Sequence, residues 1–262
     1  MTKVDVSAVV IFHREGYFSN PAMKSVIKMT DYAKARGISV EIVVVLDSSD
    51  SLTSKIVRHH ESQIDKILCT NNGDLGVNRN HALCECSGEY VTFLDGDDLW
   101  GEHWIFSCFA HCKTTTSRLS VLHPEFLYFF TDSDFDAYSW GRVPSVYARS
   151  LWFRHVGTEE EYFQRKSLLL DNVYSANSFG HRSIYEKYPY KPVDRNRGFG
   201  IEDWSWNLDT IYNGLVHEAV AGTVHLIRVK ESGSLGRSNT ANCLLPSMPE
   251  GFQFSKFLTR AD

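Results

Sequence analysis

Apolar residues in the first third of the chain fall into continuous blocks. Val4–Phe12 and Val40–Leu46 are runs rich in β-branched residues with few polar interruptions, the pattern of strands covered on both faces. Between them Pro21–Arg36 has apolar positions at helical spacing, with Asn20 as its expected cap, Pro21 in the first turn and Gly37 as its stop. The alternation continues with a helix at Ser51–His60, a short strand at Lys66–Cys69, a helix at Leu75–Cys86, a strand at Tyr90–Leu94 and a helix at Glu102–Lys113. Buried strands alternating with helices predict an α/β fold with a mostly parallel central sheet flanked by helices. Further on, the pattern predicts strand pieces at Val121–Phe130 and Val143–Ala148. A helix at Glu202–Tyr212, ended by Gly214, and a strand at Ala219–Val229 complete it. No stretch reads as a flexible linker, so one continuous domain over residues 1–262 is expected.

Composition narrows the class. The 262 residues are 43% hydrophobic and 23% charged, which suits a globular chain with a substantial core and excludes disorder, collagen and coiled coil. The net charge is -5, and no third of the chain is basic enough for a nucleic-acid footprint. The longest apolar runs, such as Ile42–Leu46, fall far short of a membrane span. No basic segment or small-residue cleavage site precedes the first strand, so no signal peptide is expected. The six cysteines form no Cys-x-x-Cys pair. They are read as reduced and buried in a cytoplasmic protein, a zinc site being the less supported alternative.

The candidate chemistry lies at the strand ends, where open α/β sheets bind ligands. Strand one runs into Phe12-His13-Arg14-Glu15, strand two into Asp47-Ser48-Ser49-Asp50, and the strand at Tyr90–Leu94 into Asp95-Gly96-Asp97-Asp98. Three acids within four residues after a buried strand repel one another, and a divalent cation would relieve that repulsion. Oxygen-only ligands suit Mg2+ or Mn2+, whose shells are completed by substrate phosphates and water. A solvated acidic turn capping the helix at Glu102 is the other reading.

The stretches Glu41–Asp47, Asn72–Asn80 and Ser87–Asp98, in this order and spacing, resemble the core of family-2 glycosyltransferases. A looser likeness resumes at Asn177–Arg182 and at Gly200–Trp204. The resemblance implies a GT-A, Rossmann-like fold with a smaller acceptor-side sheet. Residues 1–112 would form the nucleotide-sugar-binding half, and residues 113–262 the acceptor-binding and catalytic-base half. It implies an inverting, metal-dependent transfer of a sugar from a nucleotide-diphosphate donor to a hydroxyl of a glycan or lipid-linked acceptor, in surface-polysaccharide biosynthesis. Phe12, His13 and Glu15 would line the nucleoside pocket, although the family commonly has a Thr-Tyr type sequence there. Asp47 would read the base and Asp95 would sit near the ribose. Asp97 and Asp98 would serve the Mn2+ or Mg2+ ion. Asp203 would be the general base, with Glu202 orienting it or binding acceptor hydroxyls.

Several positions keep two readings. Arg79 lies early in its helix, where an Arg fork and the helix dipole favour a diphosphate; an ordinary solvated Arg is the alternative. His225 is a further metal ligand or a packed core residue. His181, Arg182 and Trp204 are acceptor-side candidates. Lys230 and Arg237 flank a segment that closes over the donor or forms an exposed turn. The aromatic belt at 126–153 is core, with Trp140 and Trp152 as sugar-stacking candidates. Trp152-Phe153-Arg154 offers a weak peripheral contact with the inner face of a membrane. Two other functions compete. A sugar-nucleotide nucleotidyltransferase needs a Gly-rich phosphate loop and a Lys after strand one, but Phe12–Phe18 holds one glycine and no lysine. A non-catalytic nucleotide- or sugar-binding module sits poorly with complete acidic motifs.

Overall fold

The computed structural model describes residues 3–114, 119–131, 151–230, 239 and 241–259. Four strands fill the first third: β1 (Val6–Phe12), β2 (Val40–Asp47), β3 (Lys66–Thr70) and β4 (Tyr90–Asp95). The helices α1 (Ser19–Lys34), α2 (Ser51–His59), α3 (Leu75–Glu85) and α4 (Trp104–Thr114) alternate with them. These follow the hydrophobic blocks closely. The cap of α1 differs. A 3-10 turn at Gly16–Phe18 runs straight into the helix, so no side chain caps it, and Asn20 instead pairs its Oδ1 with Nε2 of His60 at 2.9 Å. Gly37 does end this segment, at a φ of 82° that only glycine adopts freely.

The rest of the sheet comes from β5 (Leu99–Trp100), β6 (Ser120–Thr131), β7 (Leu151–Arg154), β8 (Phe179–His181) and β10 (Val216–Val229). The strand order is β3-β2-β1-β4-β8-β6-β10-β5, with β7 beside β6. Among the described residues β1, β2, β3, β4, β6 and β10 point one way, while β5, β7 and β8 run against them. A second, two-stranded sheet pairs β9 (Phe199–Gly200) with β11 (Leu245–Pro246). The expected strand at 143–148 lies outside the described residues. The order reverses at β1, which has β2 on one side and β4 on the other. That switch point opens a crevice at the carboxyl ends of the strands.

β1 alternates between two cores. Ala8, Val10 and Phe12 face Met23, Val26 and Met29 of α1 and Trp104 and Ile105 of α4. Val9 and Ile11 face the opposite layer, with Ala82 and Leu83 of α3, Tyr185 of α5 (Arg182–Lys187) and Trp206 of α6 (Glu202–Tyr212). A third cluster joins Leu168, Tyr174, Leu208 and Phe257, the last on α7 (Phe254–Thr259). All six cysteines are free, but Cys69, Cys84 and Cys243 are exposed, which corrects the expectation of burial. Cys69 sits on the edge strand β3, where one side has no partner strand.

Gly96 locks the switch point. It lies so close over β1 that an added Cβ would stand 2.3 Å from Phe12 Cδ1 and 2.7 Å from the carbonyl oxygen of Ile11. Overpacking of this kind costs about 1–3 kcal/mol. Gly96→Ala is therefore expected to lower the unfolding free energy read from urea denaturation by that much, and an unchanged value would refute the close packing.

Candidate active site

The site is assembled where β1, β2 and β4 end. On the β2 side, Asp47 is buried, and its carboxylate accepts from the backbone N–H of Asn72 (2.8 Å) and Gly73 (3.1 Å) and from Thr70 Oγ1 (3.2 Å). It thus shapes the loop before α3. His13 is exposed and donates from Nδ1 to the Asp47 carbonyl at 2.6 Å, while its backbone N–H donates to Glu15 Oε2 at 2.6 Å. Glu15 has its pKa raised, first by burial and also by the charge of Asp97, so it faces the acidic turn. Phe12 is fully buried beneath Gly96; it packs the floor of this corner and does not line an open pocket.

The acidic turn is tied to β10. β5 follows the turn and pairs with β10, setting Trp100 opposite His225 and Leu99 opposite Leu226. Asp98 Oδ1 accepts the Arg228 backbone N–H at 2.9 Å, and Asp98 Oδ2 lies 3.1 Å from His225 Nε2. Burial, reinforced by Asp97 and Asp95, pushes the Asp98 carboxyl up to about 6. Asp97 Oδ2 lies 2.6 Å from Lys230 Nζ and 3.2 Å from Arg228 Nη2, and the Arg228 guanidinium stacks 3.6 Å over the Phe18 ring. Arg228 is a site residue that pattern reading missed; only the register of β10 against β5 brings it here.

Arg79 is fully buried, in contrast to either expectation. Its Nη1 donates to Glu202 Oε1 at 2.7 Å and its Nη2 to Asp95 Oδ1 at 3.0 Å. Burial opposes its charge, but the two carboxylates outweigh that and hold it protonated. The guanidinium is therefore an internal tie between the end of β4 and the start of α6. Gly76 permits the approach, since a Cβ there would meet Glu202 Cβ at 3.1 Å.

The same tie aims Asp203. Helix α6 begins after Ile201, which is held at φ 58° and ψ 70° with no side-chain cap. Asp203 Oδ1 accepts from the Trp204 N–H at 2.9 Å, and Oδ2 accepts from Asn172 Nδ2 at 2.8 Å. Asn207 Nδ2 donates to Asn172 Oδ1 at 3.3 Å, which fixes which end of the Asn172 amide faces the carboxylate. Burial first, and Glu202 second, push the Asp203 carboxyl up to about 7.

A cleft of about 510 Å³ is lined together by Asp95, Asp98, His225 and Asp203. The segment 171–176 forms one of its walls. Ser175 Oγ sits 3.4 Å from His225 Nδ1, and the Ser175 N–H donates to His155 Nε2 at 3.2 Å. His155 donates its other ring nitrogen to the Pro124 carbonyl at 2.6 Å, and burial holds its pKa down to about 4, so it stays neutral. Asn172 and Ser175 were missed in the sequence. Their signal was the polar pair Asp171-Asn172 and Ser175 just ahead of the matched Asn177–Arg182 segment.

Among the described residues no group of three His, Cys, Asp or Glu side chains stands ready as a metal cage. The donor set nonetheless fits a divalent ion. His225 Nε2 is buried with no aligned hydrogen bond, and it lies beside Asp98, next to Asp97. Two carboxylates and one imidazole suit Mn2+ or Mg2+.

Other candidates fall elsewhere. His181 pairs with Tyr90 at the start of β4, the end of the strand opposite Asp95, and its Nδ1 bonds Ser183. Arg182 donates to the Cys86 carbonyl and pairs with Glu186. Neither joins the cleft, because β8 runs antiparallel to β4. The Trp204 indole donates to the Leu168 carbonyl at 2.6 Å and packs on the third cluster. Arg237 and Trp140 lie outside the described residues.

A family model described as Glycosyl transferase family 2 matches residues 7–189. Among solved structures, S. aureus TarS 1–349 in complex with UDP-GlcNAc is 18% identical with a TM-score of 0.60; the match covers 88% of this chain and 60% of that one. The mannosyltransferase PcManGT from Pyrobaculum calidifontis, in complex with GDP-Man and Mn2+, is 16% identical with a TM-score of 0.59. That match covers 92% of this chain and 61% of the other. At such identities the likeness is one of fold, and the chain spans about three-fifths of the length of these two relatives. A comparison with curated proteins returns no match.

Removing the Arg79 side chain would leave Glu202 and Asp95 facing each other without a cation. Breaking a buried pair in this way costs about 3–5 kcal/mol. Urea denaturation should show that loss for Arg79→Ala and a smaller one for Arg79→Lys, whose single ammonium cannot fork to both carboxylates. A near-native midpoint for Arg79→Ala would remove the tie.

Proposed function

The chain belongs to glycosyl transferase family 2 and has the GT-A fold, and we propose that it is a glycosyltransferase that moves a sugar with inversion from a nucleotide-diphosphate donor to a hydroxyl of a glycan or lipid-linked acceptor. The observation that carries this reading is the single cleft shared by the acidic turn and Asp203. Donor-bound relatives of the same fold, holding UDP-GlcNAc or GDP-Man with Mn2+, support the donor class.

In this reading residues 1–112 hold the donor and residues 113–262 supply the acceptor side and the base. His13 and the loop shaped by Asp47 border the nucleoside, and Asp95 lies toward the ribose. Asp97, Asp98 and His225 would hold a divalent cation, Mn2+ or Mg2+, whose chemistry when bound is to offset charge growing on the leaving diphosphate. Arg228 and Lys230 bring fixed positive charge to the same turn, and cations of this kind favour a diphosphate.

Asp203 takes the proton of the acceptor hydroxyl. As that proton moves to the carboxylate, the acceptor oxygen forms its bond to the anomeric carbon. The bond from that carbon to the phosphate oxygen breaks on the opposite face, and the nucleoside diphosphate leaves with the electron pair. A base with a pKa near the working pH is suited to this task, and burial has moved Asp203 into that range. Asn172 and the Trp204 N–H orient the carboxylate, and Glu202, bound to Arg79, anchors the helix end that carries it. We place the reaction in surface-polysaccharide assembly on the cytoplasmic side. The exposed Trp152 and Phe153 offer at most a weak contact with a membrane. Among the described residues no helix is long and apolar enough to cross one.

Asp203→Asn is expected to lower transfer by roughly 10²–10⁴-fold, while the thermal shift given by the donor with Mn2+ is retained. Substantial turnover in this variant would remove Asp203 as the base. The pH dependence should show two opposite trends. Transfer should fall as pH drops through about 7, because the base must be ionised. Stability moves the other way. The folded carboxyl binds a proton between its ordinary pKa near 4 and its native value near 7, so its contribution declines as pH rises across that window. The carboxyl is partly exposed, so the effect is discounted to roughly 1–2 kcal/mol. Asp203→Asn should therefore gain stability over the parent at pH 8 and not at pH 4, as read by thermal unfolding.

A further inference from the structure

The cleft has a second wall that the mechanism does not use. In the β6–β7 pairing Leu127 stands opposite Phe153, and in the β6–β10 pairing Leu127 stands opposite His225 and Phe129 opposite Ile227. Leu127, Phe129, Phe153 and Ile227 all line the cleft that holds Asp203. They form two cross-strand rows on one face of three adjacent strands. Strands lie about 4.8 Å apart and alternate residues about 6.8 Å, so the rows make an apolar platform roughly the size of one pyranose ring. Phe153 is 44% exposed and Phe129 is half-buried, while Leu127 is buried beneath them, so the side of the platform that a ligand can reach is formed by the two phenylalanine rings.

Among the described residues lining the cleft, the ionisable groups are Asp95, Asp98, Asp171, Tyr174, Asp203 and His225, with no Lys or Arg, and a divalent ion held by Asp98 and His225 would lie at the donor end of the same cleft. Asp95 is answered by Arg79 and Asp98 by its contacts on β10. Asp203 accepts from the Asn172 amide and the Trp204 N–H, with the charge of Arg79 also acting on it, and the exposed Asp171 accepts from the Asn172 N–H. The cations Arg228 and Lys230 are directed at Asp97, on the donor side. An acceptor carrying phosphate or carboxylate would meet the exposed Asp171 carboxylate at the rim of an apolar floor. At a separation of a few ångströms such repulsion is large even near a protein surface.

Resting on the transferase reading, we infer that this wall is the acceptor subsite and that it takes a saccharide whose reacting residue carries no phosphate or carboxylate. The apolar C–H face of the sugar lies on Phe153 and Phe129. Its reacting hydroxyl points to Asp203, and Asp171 at the rim selects against anions.

The test uses the full chain with Mn2+ and the nucleotide sugar that gives the largest thermal shift. Transfer is measured to neutral oligosaccharides and to matched ones whose terminal residue is a uronic acid or a sugar phosphate. Donor hydrolysis without acceptor is followed separately. Neutral acceptors should exceed their anionic partners in kcat/KM by about tenfold or more, and Asp171→Lys should narrow that ratio. Phe153→Ala should raise the KM for the acceptor about tenfold, with Phe153→Tyr restoring it. Preference for the anionic partners, or an acceptor KM indifferent to Phe153→Ala, would overturn the inference. So would failure of every neutral saccharide with a donor that the protein does hydrolyse, an outcome that leaves the transferase reading standing. If no nucleotide sugar binds or is hydrolysed, that underlying reading falls, and this one with it.

Discussion

A single buried guanidinium determines where the chemistry can occur. Arg79 is shut away from water, and its two terminal nitrogens reach Asp95 at the end of β4 and Glu202 at the start of α6. A charge in such a place is tolerable only when fully paired, and breaking the pairing is far more costly than the pair itself is stabilising. The tie therefore contributes geometry more than net stability. It fixes the helix that carries Asp203 against the strand that ends in the acidic turn. The cleft exists because those two elements, distant in the chain, cannot drift apart.

Around this tie the acidic turn is balanced by contacts from β10. Asp97 faces Arg228 and Lys230, and Asp98 faces His225 and the Arg228 N–H. β10 is thus more than the far strand of the sheet. Its register against β5 decides which basic residues meet which aspartate. A shift of one residue would exchange the opposite faces on which His225 and Arg228 lie.

The first third of the fold could be read because its strands are buried on both sides. Continuous apolar blocks such as Val40–Asp47 leave an unmistakable trace. β7, β8 and β9 are four, three and two residues long, too short for any period, and β8 enters the sheet antiparallel through distant pairing. His181 and Arg182 were misplaced for that reason. The acidic turn and Asp203 were legible from motif and spacing. Arg79 was legible as an important residue but not as a buried one, since its burial comes from Glu202, 123 positions away. Asn172, Ser175 and Arg228 act only through contacts across the fold, which local patterns do not record.

Ile201 carries a consequence of its own. A β-branched residue in the left-handed region is disfavoured by roughly 1–2 kcal/mol, and it stands directly before Glu202 and Asp203. A glycine would sit there without strain but would leave the helix entrance free to swivel. Branching at that one Cβ stiffens the corner. The molecule is accordingly less stable there than its packing would allow, and it holds the Asp203 carboxylate to one bearing.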